Sequence, residues 1–529
     1  MMIKPQGHQL QLFICLMLGL ASLYFFVANV SQYFFIGDDA YISFIYARHL
    51  VEGNGLVWNP GEFVEGYTNF FWVMLMAGSL YLGIPPENSS NLISIGCSVI
   101  LLLSFIWAFA QVHGLRSPWT WLPVLIFSLS RSFTAWSTSG LETMLFTLLL
   151  FLGFMFFIRE RESSSAYPVI SSGLFALATL TRPDGGVFMF VAGLLFLVDI
   201  ISKRRTFRSG LVWALPYIMV VGAHFLWRYS YYGFWLPNTF YAKVSGLWLA
   251  QGINYLELFA SSYRVYWFLP FALVSVLFRR DFTSSLLLSV LVTYVIYILY
   301  VGGDIFEFRF LVVIFPYLYW LIVDGLAVTF SGSVFALVPK QLLRIFAVVA
   351  AGSMLWVTYQ GSVNPVVNSY RSGIASLEGI KRYAESRSEQ GKFIRERIDA
   401  GDLPDNFLIG VGGAGALPYY ARLPTLDRRG LNDVKIARMP VSRRGRIAHE
   451  HDAPYEYLVE RKVVVFDLYN RLIFPDKEKL FDGDSHVFHG KKVRVRAIEL
   501  KGRYLVFATF VTDEELQAIF SGHSILKPG

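Results

Sequence analysis

Along roughly its first 359 residues the chain alternates long apolar runs with short polar stretches. The first run extends from Gln11 to Val30. Others lie near residues 91–112, 119–135, 141–158, 169–181, 186–201, 210–229, 264–278, 283–301, 308–330 and 343–359. A helix crosses a bilayer with roughly 20 mostly apolar residues, so the pattern predicts a polytopic α-helical membrane protein of about 11 spans. Several runs fall short of that length, and the one at 70–82 is shorter still. The segment MMIKPQ precedes the first run without a clean small-residue cleavage site after it, so that run reads as a retained span rather than a signal peptide.

From about residue 360 the pattern changes. Apolar stretches shrink to strand length, as in KVVVFDL (462–468) and YLVFATF (504–510), and charged residues become frequent. Strand-like and helix-like stretches alternate there, which predicts a soluble α/β domain over 360–529 behind a membrane module over 1–359.

Charge orients the two. Lys203, Arg204, Arg205 and Arg208 form one basic cluster, Arg279 and Arg280 a second, Lys340 and Arg344 a third, and Arg159 with Arg161 a fourth. Basic residues favour cytoplasmic loops, so the loops 159–168, 202–209, 279–282 and 332–342 are expected inside the plasma membrane. The stretches near 31–69, 136–142, 182–185, 230–263 and 302–307 are then external. With Lys4 inside, this requires 70–82 to be re-entrant or interfacial, and it leaves the C-terminal domain outside the cytoplasm.

Composition narrows the function. The chain is 55% hydrophobic and 17% aromatic, with a net charge of +8, yet no compact basic stripe marks a soluble region. Nucleic acid is therefore not an expected partner. Cys15 and Cys97 both sit in apolar runs and say nothing about disulfides.

The polar residues of the expected external ends are Asp38, Asp39, Arg48, Glu65, Glu142, Arg182, Asp184, Arg228, Lys243, Asp304, Glu307 and Arg309. They come from six segments that the topology gathers on one face, which predicts an aqueous cleft for an anionic substrate. Each also has a plainer reading. Asp38 would serve as N-cap of a helix Ala40–Leu50, TRPDGG (181–186) as a turn, and Arg228 and Lys243 as interfacial anchors. One cap needs only one aspartate, and neighbouring helical residues do not share a face, so the pair at 38–39 divides between two roles.

Taken together, GDDAYISFIYARHLVEGNGLVWNPGEFVEGYTNFFW (37–72), SGLET (139–143), TRPDG (181–185), YYGFWLPNTFYAK (231–243), GGDIFEFRF (302–310) and GVGGAGALPYYARLPTLDRRGLND (410–433) resemble one family. It is the GT-C membrane glycosyltransferase family that contains the mycobacterial terminal β-(1→2)-arabinofuranosyltransferase. The resemblance implies a polyprenyl-phosphate sugar as donor and a cell-envelope glycan as acceptor. It also implies an aspartate of the first external loop as general base, with inversion at the anomeric carbon. Asp38 is expected to be that base and Asp39 to cap, or to bind donor or metal. Such chemistry needs a carboxylate within reach of the acceptor hydroxyl and cations on the leaving phosphate. Arg182, Arg228, Lys243 and Arg309 are the candidate cations, with Glu142, Asp184, Asp304 and Glu307 elsewhere in the cleft. A divalent cation on Asp39, Asp304 or Glu307 is compatible with oxygen ligation but not required.

Two motifs are set aside. Gly410, Gly412 and Gly415 fit G-x-G-x-x-G after an apolar stretch, but a dinucleotide loop opens a helix immediately and Pro418 follows within three residues. His449 and His451 in AHEHD lack a third metal ligand at suitable spacing. The competing function is a transporter or flippase of a lipid-linked sugar. Inverted repeats or paired broken helices would favour it, and neither is evident in the sequence.

Overall fold

The computed structural model describes all residues except 1–5, 164–168, 244–245, 332–333, 336, 366, 368–372, 442–444, 446–448, 476–484 and 528–529. Lys4 and parts of the loops 159–168 and 332–342 thus lie outside the described residues. Six helices are long and apolar enough to cross a bilayer: Gln9–Gln32, Pro86–His113, Thr143–Glu162, Phe207–Tyr232, Phe282–Val301 and Lys340–Val363. The pair Leu249–Tyr263 and Val265–Arg279 makes a seventh candidate, bent by 77° at Arg264, whose φ of 48° takes the chain out of the helix. Only 17% of the best window in Gln9–Gln32 and in Phe207–Tyr232 is buried by protein. Helices apolar on their exposed faces need lipid around them, and the chain is a multi-pass membrane protein.

The remaining runs form shorter helices, Phe70–Tyr81, Pro118–Leu129, Ile170–Thr181, Gly185–Ile201 and Phe315–Phe330. The run at 119–135 is broken at Ser130, whose hydroxyl accepts from Phe133 N–H to start a second helix, Arg131–Trp136. The stretch 230–263, expected as a loop, contains the helices Asn238–Lys243 and Leu249–Tyr263. Small residues let the helices close: a Cβ on Gly325 would fall 1.7 Å from the Phe271 carbonyl oxygen, which fixes Phe315–Phe330 against Leu269–Arg279.

The C-terminal region opens with the helix Leu377–Asp399, capped by Ser376. Its buried residues Leu377, Ile380, Ala384, Arg387, Gly391, Ile394 and Ile398 recur every three to four positions. A seven-stranded sheet follows, in the order β2-β1-β3-β7-β6-β5 with β4 also on β7. The strands are β1 Ile409–Val411, β2 Thr425–Asp427, β3 Val465–Phe466, β4 Ile473–Phe474, β5 Ser485–Phe488, β6 Lys491–Leu500 and β7 Arg503–Thr509. β1, β2 and β3 run parallel, while β5, β6 and β7 form an antiparallel meander. The fold is thus helical membrane module plus α/β domain.

The two regions are locked together. Arg131 grips Glu307 through Nε and Nη2, both at 2.9 Å, and Glu378 of the C-terminal helix through Nη1 at 2.5 Å and Nη2 at 2.8 Å. Glu307 also accepts from Leu377 N–H, and residues 305–307 pair with Ala375.

Candidate active site

A cavity of about 510 Å³ opens where the two regions meet. Of the residues singled out in the sequence, Asp39, Glu142, Arg182, Asp184, Arg228, Lys243, Asp304 and Arg309 line it. Asp38, Arg48, Glu65 and Glu307 do not. Glu307 is 1% exposed and turned onto Arg131, so it braces the back of the loop that carries Asp304 and Arg309 instead of facing the cleft. Arg131, the partner, was not singled out in the sequence because it stands inside an apolar run.

The helix bearing the aspartate pair runs Asp38–Val51, with Gly37 at the N-cap and no side-chain cap bond. Neither aspartate is the cap, so that expectation is corrected; both lie in the first helical turn, where a carboxylate also suits the helix dipole. Successive helical side chains diverge by about 100°, and the two go opposite ways. Asp39 faces the cavity, half-buried, and its side chain takes part in no hydrogen bond or ion pair among the described residues. Asp38 turns toward the C-terminal domain. Its Oδ1 accepts from Ala416 N–H at 2.8 Å. Burial pushes its carboxyl up to about 6, against the opposing pull of the Arg387 guanidinium and the Ala416 N–H.

That contact also explains GVGGAG. β1 leads into a six-residue helix, Ala416–Ala421, with Pro418 in its first turn, where proline is tolerated. A helix therefore does follow the glycines, contrary to the sequence-based objection. The loop is nevertheless filled by protein. A Cβ on Gly415 would fall 1.9 Å from the Asp38 carbonyl oxygen, and one on Gly413 would fall 2.2 Å from Tyr383 Oη.

The cavity has two unlike ends. At one, Arg182 makes a bidentate pair with Asp184, both bonds 2.9 Å, and Tyr294 donates to the same carboxylate at 2.8 Å. Arg309 Nε lies 2.5 Å from Asp304 Oδ2. Glu142 accepts from Asn69, itself bonded to Ser43. The glycines at 302 and 303, at φ 87° and 82°, turn the chain so that Asp304 reaches this end. With Asp39, four carboxylates face two guanidiniums. At the other end Arg228 Nε is 2.7 Å from Glu65 Oε2, although its N–H is not aligned with a partner. Lys243 lies on the adjoining short helix, tied back by Asn238 N–H to the Glu65 carbonyl. Arg228 meets one carboxylate here and Lys243 pairs with none among the described residues, and burial pushes Glu65 itself up to about 7 despite Arg228. Beside this end Tyr217, Val221, Phe225 and Arg228 line up at helical spacing along Phe207–Tyr232, opposite Phe240.

The C-terminal domain supplies part of the wall. Leu431 lines the cavity, and Asn238 Nδ2 bonds the carbonyls of Gly430, Leu431 and Asp433. Tyr46 donates to Val64 O and Asn432 Oδ1. Among the described residues no three His, Cys, Asp or Glu side chains form a group able to hold a metal ion. Asp39 and Asp304 both line the cavity, and His451 is buried with its carbonyl on Arg429.

Residues 378–520 match a family described as a domain of unknown function, DUF8728. Over 247 residues, 44% of this chain, the sequence is 27% identical to the terminal β-(1→2)-arabinofuranosyltransferase of Mycobacterium tuberculosis, covering 38% of that protein. The protein of the same name from Corynebacterium glutamicum is 26% identical over 258 residues, 44% of this chain and 36% of the relative. The match therefore spans less than two-fifths of either relative. These are the proteins whose family the sequence motifs resemble. Two structures of ArnT from Cupriavidus metallidurans are also similar. The apo form has a TM-score of 0.46 at 15% identity, and the form bound to undecaprenyl phosphate has 0.47 at 14%. Each similarity covers 78% of this chain and 85% of that one.

Proposed function

We propose that the chain is an inverting GT-C glycosyltransferase. It moves a sugar from a polyprenyl-phosphate donor to a cell-envelope glycan, at the external face of the plasma membrane. The observation that supports this reading is the polarity of the cavity: a cation-rich end beside an apolar helix face, joined to an acid-rich end with one uncommitted carboxylate. The donor phosphate lies against Arg228 and Lys243, and the prenyl chain follows Tyr217, Val221 and Phe225 toward lipid. The sugar occupies the space between, where Arg182, Arg309, Asp304 and Glu142 meet its hydroxyls.

Asp39 acts as the base. It takes the proton from the acceptor hydroxyl as that oxygen bonds to the anomeric carbon, and the bond from that carbon to the phosphate oxygen breaks on the opposite side. The electron pair leaves with the polyprenyl phosphate, whose developing charge Arg228 and Lys243 stabilise. Asp38, the base expected from sequence, is closed off from the cavity by the C-terminal domain.

The test is purified protein with a polyprenyl-phosphate pentofuranose and an envelope-glycan acceptor. Transfer should release one polyprenyl phosphate per sugar moved. Intact passage of the lipid-linked sugar across a vesicle, with no phosphate released, would make the chain a transporter instead. An alkaline phosphatase fused to the C-terminus should be active, as the external placement of that domain requires.

A further inference from the structure

We propose that the C-terminal domain is an active-site clamp. Its glycine loop grips Asp38 so that the next residue, Asp39, is held toward the cavity. Asp38, Gly415 and Ala416 are thereby positioning residues. The inference rests on the assignment of Asp39 as base and adds a task for a domain whose family has none assigned.

The clamp has two jaws. On the membrane side, Gly37 N–H donates to the Ser139 carbonyl at 2.9 Å, and Ile36 pairs with Ser139 in a parallel bridge. On the other side the Asp38 backbone sits so close to Gly415 that a Cβ there would lie 1.9 Å from its carbonyl oxygen and 2.8 Å from its Cγ. The Asp38 carboxylate meanwhile takes Ala416 N–H. The first turn of the helix is thus fixed in rotation about its axis before any substrate arrives.

The domain side of the clamp is itself rigid. Arg387, fully buried, ties the loop to the sheet by donating to the Gly413 carbonyl at 3.2 Å, to Asp467 Oδ2 at 3.1 Å and to the Asn470 carbonyl at 2.8 Å. Asp467 in turn accepts from Gly412 N–H at 3.0 Å. A carboxylate held about 1 Å out of place costs on the order of 10²-fold in rate, so a contact this tight bears directly on turnover.

Three variants test the clamp. Gly415→Ala should push the helix start away, lowering kcat about 10- to 100-fold at an unchanged KM for donor. Asp38→Ala, which adds no bulk, should do the same by leaving Ala416 N–H without its acceptor. Asp38→Asn keeps an oxygen for that N–H and should stay within about threefold of the parent, as rescue by a conservative variant requires. Hydrogen exchange reads the clamp without turnover. Gly415→Ala and Asp38→Ala should quicken exchange over residues 41–47 and leave 187–199 as in the parent, whatever reaction the chain performs. Unchanged exchange over 41–47, full kcat in both disrupting variants, or an Asp38→Asn protein as inactive as Asp39→Asn would each overturn the proposal. If the parent transfers no sugar while exchange responds as stated, the clamp stands and the proposed reaction falls.

Discussion

The two ends of the cavity hold equal numbers of cations but differ in the carboxylates beside them. Arg182 and Arg309 face Asp184, Asp304, Glu142 and Asp39, and both are already engaged with carboxylates. Arg228 pairs with Glu65 alone, and Lys243 lines the same cavity with no carboxylate partner among the described residues. A guanidinium locked bidentately onto an aspartate has one edge of its fork occupied, and a phosphate approaching it meets the carboxylate's charge as well. Counting basic residues near a cleft therefore misjudges anion binding; the difference between cations and carboxylates at each end decides it.

The largest effect should come from the acid-rich end. Asp39→Asn keeps size and polarity but cannot accept the proton, and loss of a general base costs about 10²- to 10⁴-fold. Steady-state kcat at saturating donor and acceptor checks this. A variant within tenfold of the parent would pass the role to Glu142 or Asp304, and the acid-rich end would then be a sugar-binding wall with its base elsewhere on it.

The same end depends on a brace. Removing one partner of a buried ion pair costs about 3–5 kcal/mol. Glu307→Ala should fall near the lower figure, because Glu378 still meets Arg131. A denaturant melt in detergent measures it. A loss below about 1 kcal/mol would mean that the loop carrying Asp304 and Arg309 holds its shape without Arg131.

At the basic end, Arg228→Ala and Lys243→Ala should each weaken donor use about 10- to 150-fold, as expected for one charge-assisted contact of about 1.5–3 kcal/mol. The effect should appear in donor KM. Arg182→Ala, by contrast, leaves Asp184 with Tyr294 but no guanidinium and should lower kcat or stability before donor affinity. A larger donor KM effect at Arg182 than at Arg228 would reverse the two ends.

Much of this site was legible along the chain because membrane segments restrict where charges can stand. Six polar segments between apolar runs delivered eight of the ten candidate residues to one cavity. Three features escaped for physical reasons. The direction of the Asp38 and Asp39 side chains depends on a domain nearly 380 residues away. Arg131 is invisible because a buried ion pair looks like a stray charge until its partners on two other segments are known. The glycines of GVGGAG suit a phosphate loop and a close protein contact equally well, and only the Asp38 backbone beside Gly415 separates the readings. The span count stayed open because helices such as Ile170–Thr181 are too short to assign by length.

The smallest effect concerns the aspartate that does not face the cavity. Burial raises Asp38 from an ordinary 3.8 to about 6, with Arg387 and the Ala416 N–H opposing and Asp39 adding to the rise. A carboxyl raised on folding binds its proton more tightly in the native state. Its contribution is therefore fully present below about 3.8 and is lost as pH rises through about 6. Between pH 5 and pH 7 that linkage amounts to about 1 kcal/mol of stability. Glu65, raised to about 7, changes in the same direction, so the parent's slope alone does not isolate Asp38. The difference between the parent and Asp38→Asn does, because Asn keeps the acceptor for Ala416 N–H and has no proton to lose. Melts of both proteins at pH 5 and pH 7 should show the parent losing about 1 kcal/mol more than the variant. A parent that instead gains stability relative to Asp38→Asn as pH rises would mean that the ionised carboxylate is welcomed where it sits. Asp38 would then face water or an unblocked cation, and the distinction between an enclosed Asp38 and a cavity-facing Asp39 would fail.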